Sequence, residues 1–448
     1  MYKTFLLALL VLALLFPTLA RGDQPAKPDQ QEISRLLHQL GSAKGSEQEA
    51  AAAALQKIGV PALKALTEVA DKNLNPDVSS RAQVLARLLQ PHPDQVWCNY
   101  AGPWDQRLFF HAQSYGVESV VFSPDGRQIA TTGGTNGNLR LWDVTTGIAI
   151  RRIEVERSSL RNLVYSHAGR YLAAVDVRGE EILVWEAMNG SLVRRIKVTR
   201  DDWNIAFSQD DKQLISAGET VRWWNLQNGK EVRSFQLKNF YRFWGLASDG
   251  RLVMGEKKNK DNFSAGSLID TSTGKEVVHF PFGQQGENTP GSVAYAPDGK
   301  TLIFSGRLRL RDAHSGKDIV EFNSKPFPND AKKIAKMISA ARGTGSAEEV
   351  VNIEKELLGY QEMRSAVDVR ISPDGRRLLT AHGGIVGPHG IEFALDCRVR
   401  LWDLKTGNEL RCFSVEESPV ATVAFSPNGR YAASGSNDGT LRLWKLPE

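Results

Sequence analysis

The sequence predicts an all-β protein built from repeated four-stranded antiparallel sheets, with a small α-helical segment ahead of them. Two observations predict this. A turn sequence, FSPDG at Phe122, is followed by a strand sequence, LRLWD, that ends at Asp143, and the two return together along the chain. Between them lie short runs in which apolar and polar residues alternate, the pattern of half-buried strands.

The repeated unit can be aligned seven times. The turn returns as YSHAG, FSQDD, LASDG, YAPDG, ISPDG and FSPNG, and the strand returns as ILVWE, VRWWN, SLIDT, LRLRD, VRLWD and LRLWK. Most copies begin roughly forty residues after the one before, and a period near forty with four strands per unit is typical of a propeller blade.

On these motifs, residues 101–448 resemble the WD-repeat β-propeller family, and we expect seven blades. Ile269 and Arg311 stand where the family has tryptophan, and no Gly-His pair precedes the repeats. These departures leave open whether the family's Asp-His-Ser-Trp hydrogen-bond network forms. We interpret the five tryptophans at the repeat position as packing residues: Trp142, Trp185, Trp224, Trp402 and Trp444.

The last copy ends at Glu448, just after its third strand, so blade seven needs a fourth strand from elsewhere. Residues 107–113 (RLFFHAQ) have the character of the fourth strands and precede blade one. We therefore predict that they complete blade seven and close the ring, which would leave no wide-open sheet edge.

The first twenty residues predict export. Lys3 precedes an unbroken apolar run over residues 5–16, and small residues follow as far as Ala20. This is the pattern of a cleavable signal peptide over residues 1–20; an uncleaved anchor is the alternative, although the run is short for a membrane span. We expect a periplasmic or extracellular protein, without a membrane span once the signal is removed. Residues 21–30 are expected to be a linker.

Residues 31–90 show helical spacing of apolar residues, broken at Gly59-Val60-Pro61 and Asn75-Pro76. The segment resembles a HEAT-type repeat. Repeats of this kind usually need at least three units for stability, so we expect the segment to lean on the propeller or on a partner. The three cysteines, Cys98, Cys397 and Cys412, could include one disulfide or could all be small apolar residues.

Extra sequence is confined to blades four to six. The insertions are residues 255–266, 282–292, 323–365 and 382–395. The longest has two helical patterns and is predicted to form a helical hairpin over residues 330–359, with a basic first helix and an acidic second helix. All four insertions follow either a second or a fourth strand, and these two kinds of loop leave the same face of a propeller.

Composition and motifs favour a binding protein over an enzyme. The chain has 448 residues and a net charge of +5. A charge this small on a chain of this length does not indicate a nucleic-acid-binding protein. No phosphate loop, H-E-x-x-H, G-x-S-x-G or paired C-x-x-C occurs. We expect no cofactor and no metal; His382, His389, Glu392 and Asp396 could in principle hold one, but their spacing matches no standard site.

We therefore predict a non-enzymatic, monomeric scaffold that binds another protein on the insertion-bearing face of blades four to six. An enzyme or small-ligand binder that uses the central channel is the alternative. The candidate binding residues are at the starts of the first strands and in the insertions: Glu118, Arg161, Trp203, Arg242, Lys332, Lys336, His382 and His389. A solvated rim is the structural alternative for the first four.

Overall fold

The computed structural model describes residues 30–448 with gaps, the longest of which are 101–115, 256–264, 282–291, 323–349, 352–365 and 387–392. The chain divides into two compact units, Met1–Gln90 and Pro91–Glu448. In the described part of the chain, no helix is long and apolar enough to cross a membrane.

The described residues of the first unit include the helices α1 (Gln30–Gln39), α2 (Gly45–Ile58) and α3 (Val60–Lys72). Gly59 separates α2 from α3 at a φ of 76°, a left-handed conformation that glycine adopts without strain. Leu36, Leu55 and Leu66 are buried between the helices, and the buried Arg81 donates a hydrogen bond to the carbonyl oxygen of Leu40 at 2.7 Å.

The second unit consists of four-stranded antiparallel sheets, which we call blades and number by their first strands. Blades 1 to 3 contain β2 (Val117–Phe122), β3 (Gln128–Gly133), β4 (Asn138–Asp143), β5 (Ala149–Glu154); β6 (Leu160–Tyr165), β7 (Tyr171–Asp176), β8 (Glu181–Glu186), β9 (Leu192–Lys197); and β10 (Asn204–Phe207), β11 (Gln213–Ala217), β12 (Thr220–Asn225), β13 (Glu231–Gln236).

Blades 4 to 6 carry the predicted insertions. They contain β14 (Arg242–Leu246), β15 (Arg251–Gly255), β16 (Ala265–Asp270), β17 (Lys275–Pro281); β18 (Val293–Tyr295), β19 (Thr301–Phe304), β20 (Arg309–Asp312), β21 (Asp318–Glu321); and β22 (Ala366–Ile371), β23 (Arg377–His382), β26 (Val399–Asp403), β27 (Glu409–Phe413). Two short strands, β24 (Ile385–Val386) and β25 (Phe393–Ala394), pair with each other inside the last insertion.

These six blades use strands in their sequence order, whereas the remaining four-stranded sheet, blade 7, does not. Its strands β28 (Val420–Phe425), β29 (Tyr431–Ser436) and β30 (Thr440–Lys445) are completed by β1 (Gln95–Tyr100), which pairs antiparallel with β30. The prediction that residues 107–113 complete this sheet is therefore wrong. The completing strand lies earlier in the chain, and residues 107–113 lie outside the described residues.

Neighbouring blades bury their faces against each other. The first strands lie side by side in the cycle β2, β6, β10, β14, β18, β22, β28 and back to β2, so they form the inner ring of a β-propeller. Apolar clusters fill the spaces between blades; one joins Val117 and Trp142 of blade 1 to Leu441 and Leu443 of blade 7. All five repeat tryptophans are buried, as expected for packing residues.

The repeated polar residues build the short turns. In blade 1, the Ser123 hydroxyl donates to Asp125 Oδ1 at 2.6 Å and accepts from the N–H of Gln128. The aspartate after the tryptophan, Asp143, accepts from the N–H and hydroxyl of Thr146. The hydrogen bond from the Thr146 N–H is the main cause that lowers the pKa of Asp143. The Trp-Asp pair thus combines a packing residue with a turn residue.

The fourth, outermost strand of every described blade contains a β-bulge opposite the tryptophan position. In blade 1, Trp142 pairs with Ala149 and Leu141 pairs with Arg151, so Ile150 is the extra residue. The same register places an aliphatic residue in the bulge of the other six blades: Val193, Val232, Val277, Ile319, Leu410 and Val96. β1 therefore has the same local geometry as the other fourth strands.

A second repeated feature is a hydrogen bond from a buried arginine on the third strand to a side chain on the fourth strand. In blade 6, the fully buried Arg400 donates from Nη1 to Glu409 Oε2 at 2.8 Å. In blade 7, Arg442 makes the same contact with Gln95 Oε1 at 2.9 Å. Each acceptor lies just before the bulge residue, so Gln95 gives β1 the side chain that the buried arginine needs.

Replacing residues 95–100 with a Gly/Ser segment of equal length tests the closing strand. The change removes a ladder of hydrogen bonds, each contributing about 0.5–1.5 kcal/mol, and exposes the edge of β30. We expect the free energy of unfolding in urea to fall by roughly 3 kcal/mol or more on this basis. The matched control replaces residues 107–113 in the same way. A loss in the control alone would restore the original prediction.

Glu409→Ala leaves the guanidinium of Arg400 buried without its carboxylate, which typically costs about 3–5 kcal/mol. Glu409→Gln should cost on the order of 1 kcal/mol, the scale of one hydrogen bond, because Gln95 already fills this role in blade 7. Chemical denaturation of both variants measures the difference. Equal losses would show that charge, and not hydrogen bonding, stabilises Arg400.

Candidate functional site

Two predicted binding residues, Glu118 and Arg161, meet at the start of the inner strands of blades 1 and 2. Arg161 Nε lies 2.8 Å from Glu118 Oε2. Glu118 is the bulged residue of β2, since Val117 and Ser119 pair with consecutive residues of β3. Burial raises the pKa of Glu118, and the neighbouring guanidinium opposes that effect. Both side chains of the pair are partly exposed.

The other predicted binding residues are less completely described. Arg242 begins β14, in the same row as Glu118, but its side chain is outside the described residues, as are Trp203, Lys332, Lys336 and His389. The predicted helical hairpin is likewise outside them, apart from the helical residues Val350 and Val351. These assignments stay predictions.

His382 differs from the exposed loop residue that the sequence suggested. It is the last residue of β23 and is 1% exposed. Its Nε2 lies 2.8 Å from the Thr380 hydroxyl, which accepts a hydrogen bond from Trp402 Nε1 at 3.0 Å. Part of the family's polar network therefore forms in blade 6, and His382 contributes to the packing of that blade rather than to a surface.

Asp368 is a site residue that the sequence analysis missed. It lies buried in β22, and its carboxylate reaches both neighbouring blades. Oδ1 accepts from the Ser292 hydroxyl of blade 5 at 2.8 Å, and Oδ2 accepts from the Val423 N–H of blade 7 at 3.1 Å. Arg370 Nη1 lies 2.9 Å from Oδ1. These partners occupy both oxygens, which suits a connection between blades.

Asp368 belongs to a row that could have been found in the sequence. The residue three positions before the last residue of the first strand is polar in six of seven repeats: Ser119, Asn162, Asn204, Ser292, Asp368 and Thr422. Ser119 Oγ accepts from the Leu163 N–H of blade 2 at 3.1 Å, the same direction of contact as that between Asp368 and Val423. The row therefore contains side chains that link neighbouring inner strands.

Asp211 links blades 2 and 3 through the turns that follow their first strands. These turns lie at the other end of the first strands from the row that contains Glu118 and Arg161. It has a φ of 54° and occupies the turn position where other repeats have glycine. Its carboxylate accepts from the N–H groups of His167 and Ala168, both at 2.8 Å, and Oδ1 lies 3.0 Å from His167 Nδ1. Burial alone would raise the pKa of Asp211, but these hydrogen bonds lower it overall.

The described residues contain no group of three or more His, Cys, Asp or Glu side chains that could hold a metal ion. Three residues of the hypothetical metal site, His389, Glu392 and Asp396, lie outside that part of the chain. No disulfide joins Cys98, Cys397 and Cys412 within it. The interactions described for the candidate site residues are hydrogen bonds and ion pairs.

Comparison with known families identifies the repeats. The model of the WD domain, G-beta repeat family matches residues 104–143 and 407–445. The chain carries WD40 repeats. The first match includes the first three strands of blade 1, and the second runs from the outer strand of blade 6 to the end of β30 in blade 7.

Curated relatives match the chain over part of its length. The periodic tryptophan protein 2 homolog of Dictyostelium discoideum is 24% identical over 169 residues, which are 37% of this chain and 18% of that protein. The serine-threonine kinase receptor-associated protein of Gallus gallus is 46% identical over 50 residues, 11% of this chain and 14% of that protein. The chain thus spans less than a fifth of the length of these relatives.

Asp211→Asn tests the link between blades 2 and 3. The folded-state pKa of Asp211 is lowered, so its stabilisation is present above the unfolded pKa of about 3.9 and is lost as the pH falls through the folded value. We expect a loss of about 1–2 kcal/mol at pH 7, because an amide cannot accept both N–H groups in the same way. The difference from the unmodified chain should shrink by pH 3.

Denaturation at both pH values measures this loss. The matched control is Asp210→Asn, since Asn428 accepts the corresponding turn hydrogen bonds in blade 7. A pH-independent difference for Asp211→Asn would mean that its charge is irrelevant to the link.

Proposed function

We propose that this chain is a non-enzymatic scaffold that binds another protein on the insertion-bearing face of blades 4 to 6. One observation carries the proposal: the added segments follow only second or fourth strands, namely β15, β17, β21 and β23. In an antiparallel sheet of four strands, these connections lie at one end and the short repeated turns lie at the other. Loops on a rigid scaffold are where binding residues usually lie.

The repeats support an interaction role. WD40 repeats build surface rather than a single cleft, and the relatives that share them include a receptor-associated protein. The contacts of Asp368 and Asp211 connect neighbouring blades, which supports a rigid scaffold. We infer that the seven four-stranded sheets act as one closed seven-bladed ring, because their first strands contact each other in a cycle.

Export is part of the same proposal. The apolar run over residues 5–16 after Lys3, followed by small residues, supports a cleaved signal and a location in the periplasm or outside the cell. N-terminal sequencing of the native protein should find a start near Arg21. An intact Met1 on a cytosolic protein would contradict this location without affecting the scaffold assignment.

The helical unit also enters as a proposal. The three helices contact one another and bury a small leucine core, which supports a HEAT-like arrangement that assists binding. Its size is below that of a self-sufficient repeat array. We propose that the whole chain acts as a monomer toward its partner.

Replacing residues 323–365 with a short Gly/Ser linker tests the docking face. Partners of the unmodified chain and of the variant are compared by quantitative mass spectrometry after capture from envelope extract. We expect a specific partner to be lost while the thermal unfolding midpoint of the propeller changes little, since loop length has a small entropic cost.

The matched control replaces Gln227 and Asn228, in a short turn at the other end of blade 3, with alanine. That variant should retain the partner. Retention of the same partner by the linker variant would place the site elsewhere, and turnover of substrates without any retained partner would favour the channel enzyme.

A further inference from the structure

Because the blades repeat, the residue at each exposed position of one blade can be compared with the equivalent residues of the others. Blades 1 and 2 differ from the other blades in the exposed apolar side chains of their outer edges. Ile148 is 67% exposed, Met188 is 82% exposed and Leu192 is 42% exposed. All three lie in or beside the turn between the third and fourth strands. Large apolar side chains at such exposure mark an interaction surface when they cluster.

Other blades have polar residues at these positions. At the position of Ile148, directly after the turn glycine, they have Ser191, Lys230, Lys275, Lys317 and Asn408. At the position of Leu192, blades 3 to 6 have Glu231, Glu276, Asp318 and Glu409. The fold therefore does not require apolar side chains there. Ile150, by contrast, lies in the bulge that is aliphatic in every blade, so we attribute it to the fold.

Ile148, Met188 and Leu192 lie on the outer edges of two adjacent blades. Arg151 of β5 donates to the carbonyl oxygens of Asn189 and Met188, at 2.8 and 3.3 Å, and so holds the turn of blade 2 against the outer strand of blade 1. Gly190 packs closely on the side chains of Arg151 and Ile153. Ile148, Met188 and Leu192 thus lie around one junction, which we call the blade 1–2 edge.

The charge of this edge indicates its occupant. β5 has Arg151, Arg152 and one acidic residue, Glu154, whereas β9 has Arg194, Arg195 and Lys197. The outer strand of blade 5, β21, has the opposite sign, with two acidic residues and no basic one. Arg195 is paired locally with Glu181 at 2.9 Å and Arg152 with Glu154 at 3.0 Å, but the five basic side chains of the two strands outnumber these two carboxylates.

A second copy of the chain is a poor occupant. Within the described sheets, β5 and β9 each pair on one side only, so an added strand could extend either of them. Antiparallel pairing of β9 with itself about its centre would place Arg194 opposite Arg195. For β5 it would place Arg151 opposite Arg152. Like charges directly opposite each other destabilise a sheet.

We propose that the blade 1–2 edge is a second docking surface, which binds an extended, acidic segment of another protein whose alternate side chains are apolar. Carboxylates of the segment pair with Arg152, Arg195 and Lys197, and its apolar side chains cover Ile148, Met188 and Leu192. Arg151 acts as a positioning residue for the Met188 turn. This proposal does not rest on docking at blades 4 to 6.

The test uses the full chain and a fluorescein-labelled peptide of twelve residues in which glutamate and valine alternate. The control peptide has lysine in place of glutamate. Fluorescence anisotropy should show binding of the acidic peptide at least tenfold tighter than that of the lysine peptide. It should weaken as salt rises, because exposed charge pairs are screened.

The edge variant combines Ile148→Lys with Leu192→Glu and copies residues that blade 3 has at these positions, Lys230 and Glu231. It should fold normally and bind the acidic peptide at least tenfold more weakly. The control variant, Lys230→Ser, changes the same turn position in blade 3 to the residue of blade 2 and should bind unchanged.

Three outcomes would overturn the proposal. The edge variant could bind the acidic peptide as tightly as the unmodified chain. The chain could ignore both peptides but bind phosphatidylglycerol vesicles through Met188, which would identify a membrane surface. The chain could sediment as a dimer while the edge variant sediments as a monomer. The linker variant of residues 323–365 should bind the acidic peptide normally, so failure here and failure of the proposed function are distinguishable.

Discussion

Closure of the ring is the constraint on which the propeller depends. A four-stranded sheet of this size has two faces to bury and covers them only when it has a neighbour on each side. The apolar clusters lie between blades, and the one that joins blade 7 to blade 1 contains Trp142 together with Leu443. The last three strands cannot complete their own sheet, so β1 supplies the fourth strand from 340 residues earlier, as in the pair Tyr100 and Thr440. Main-chain pairing of β1 with β30 therefore joins the two ends of the unit.

The sequence predicted the elements that each repeat specifies locally. The FSPDG turns, the buried tryptophans and the alternating strands follow from residue chemistry within one repeat, and the structure has them where expected. The prediction of the closing strand is wrong because apolar character alone does not distinguish residues 107–113 from Gln95–Tyr100. Two finer features do: an acceptor for the buried arginine, Gln95 for Arg442, and an aliphatic bulge residue, Val96. Both are visible only when the fourth strands are aligned on their partners.

The candidate site was predictable to a similar extent. The sequence predicts Glu118 and Arg161 as members of one row at the start of the first strands, but it does not predict the ion pair that joins them. The contacts of Asp368 and Asp211 were not predicted, since each depends on which backbone groups of the next blade face the carboxylate. The sequence predicts His382 as the first residue of an inserted loop, yet β23 continues through it and buries it. Repetition is also what makes the blade 1–2 edge visible, because the other blades show what the fold itself requires.

Hydrogen exchange followed by mass spectrometry tests the closure most directly. In a closed ring, the amides of Gln95–Tyr100 that pair with β30 open only when blade 7 opens, so the peptide should be protected to the same degree as Thr440–Lys445. We expect both peptides to exchange together in the full chain. Exchange of residues 95–100 within seconds, while Thr440–Lys445 stays protected, would contradict closure by β1.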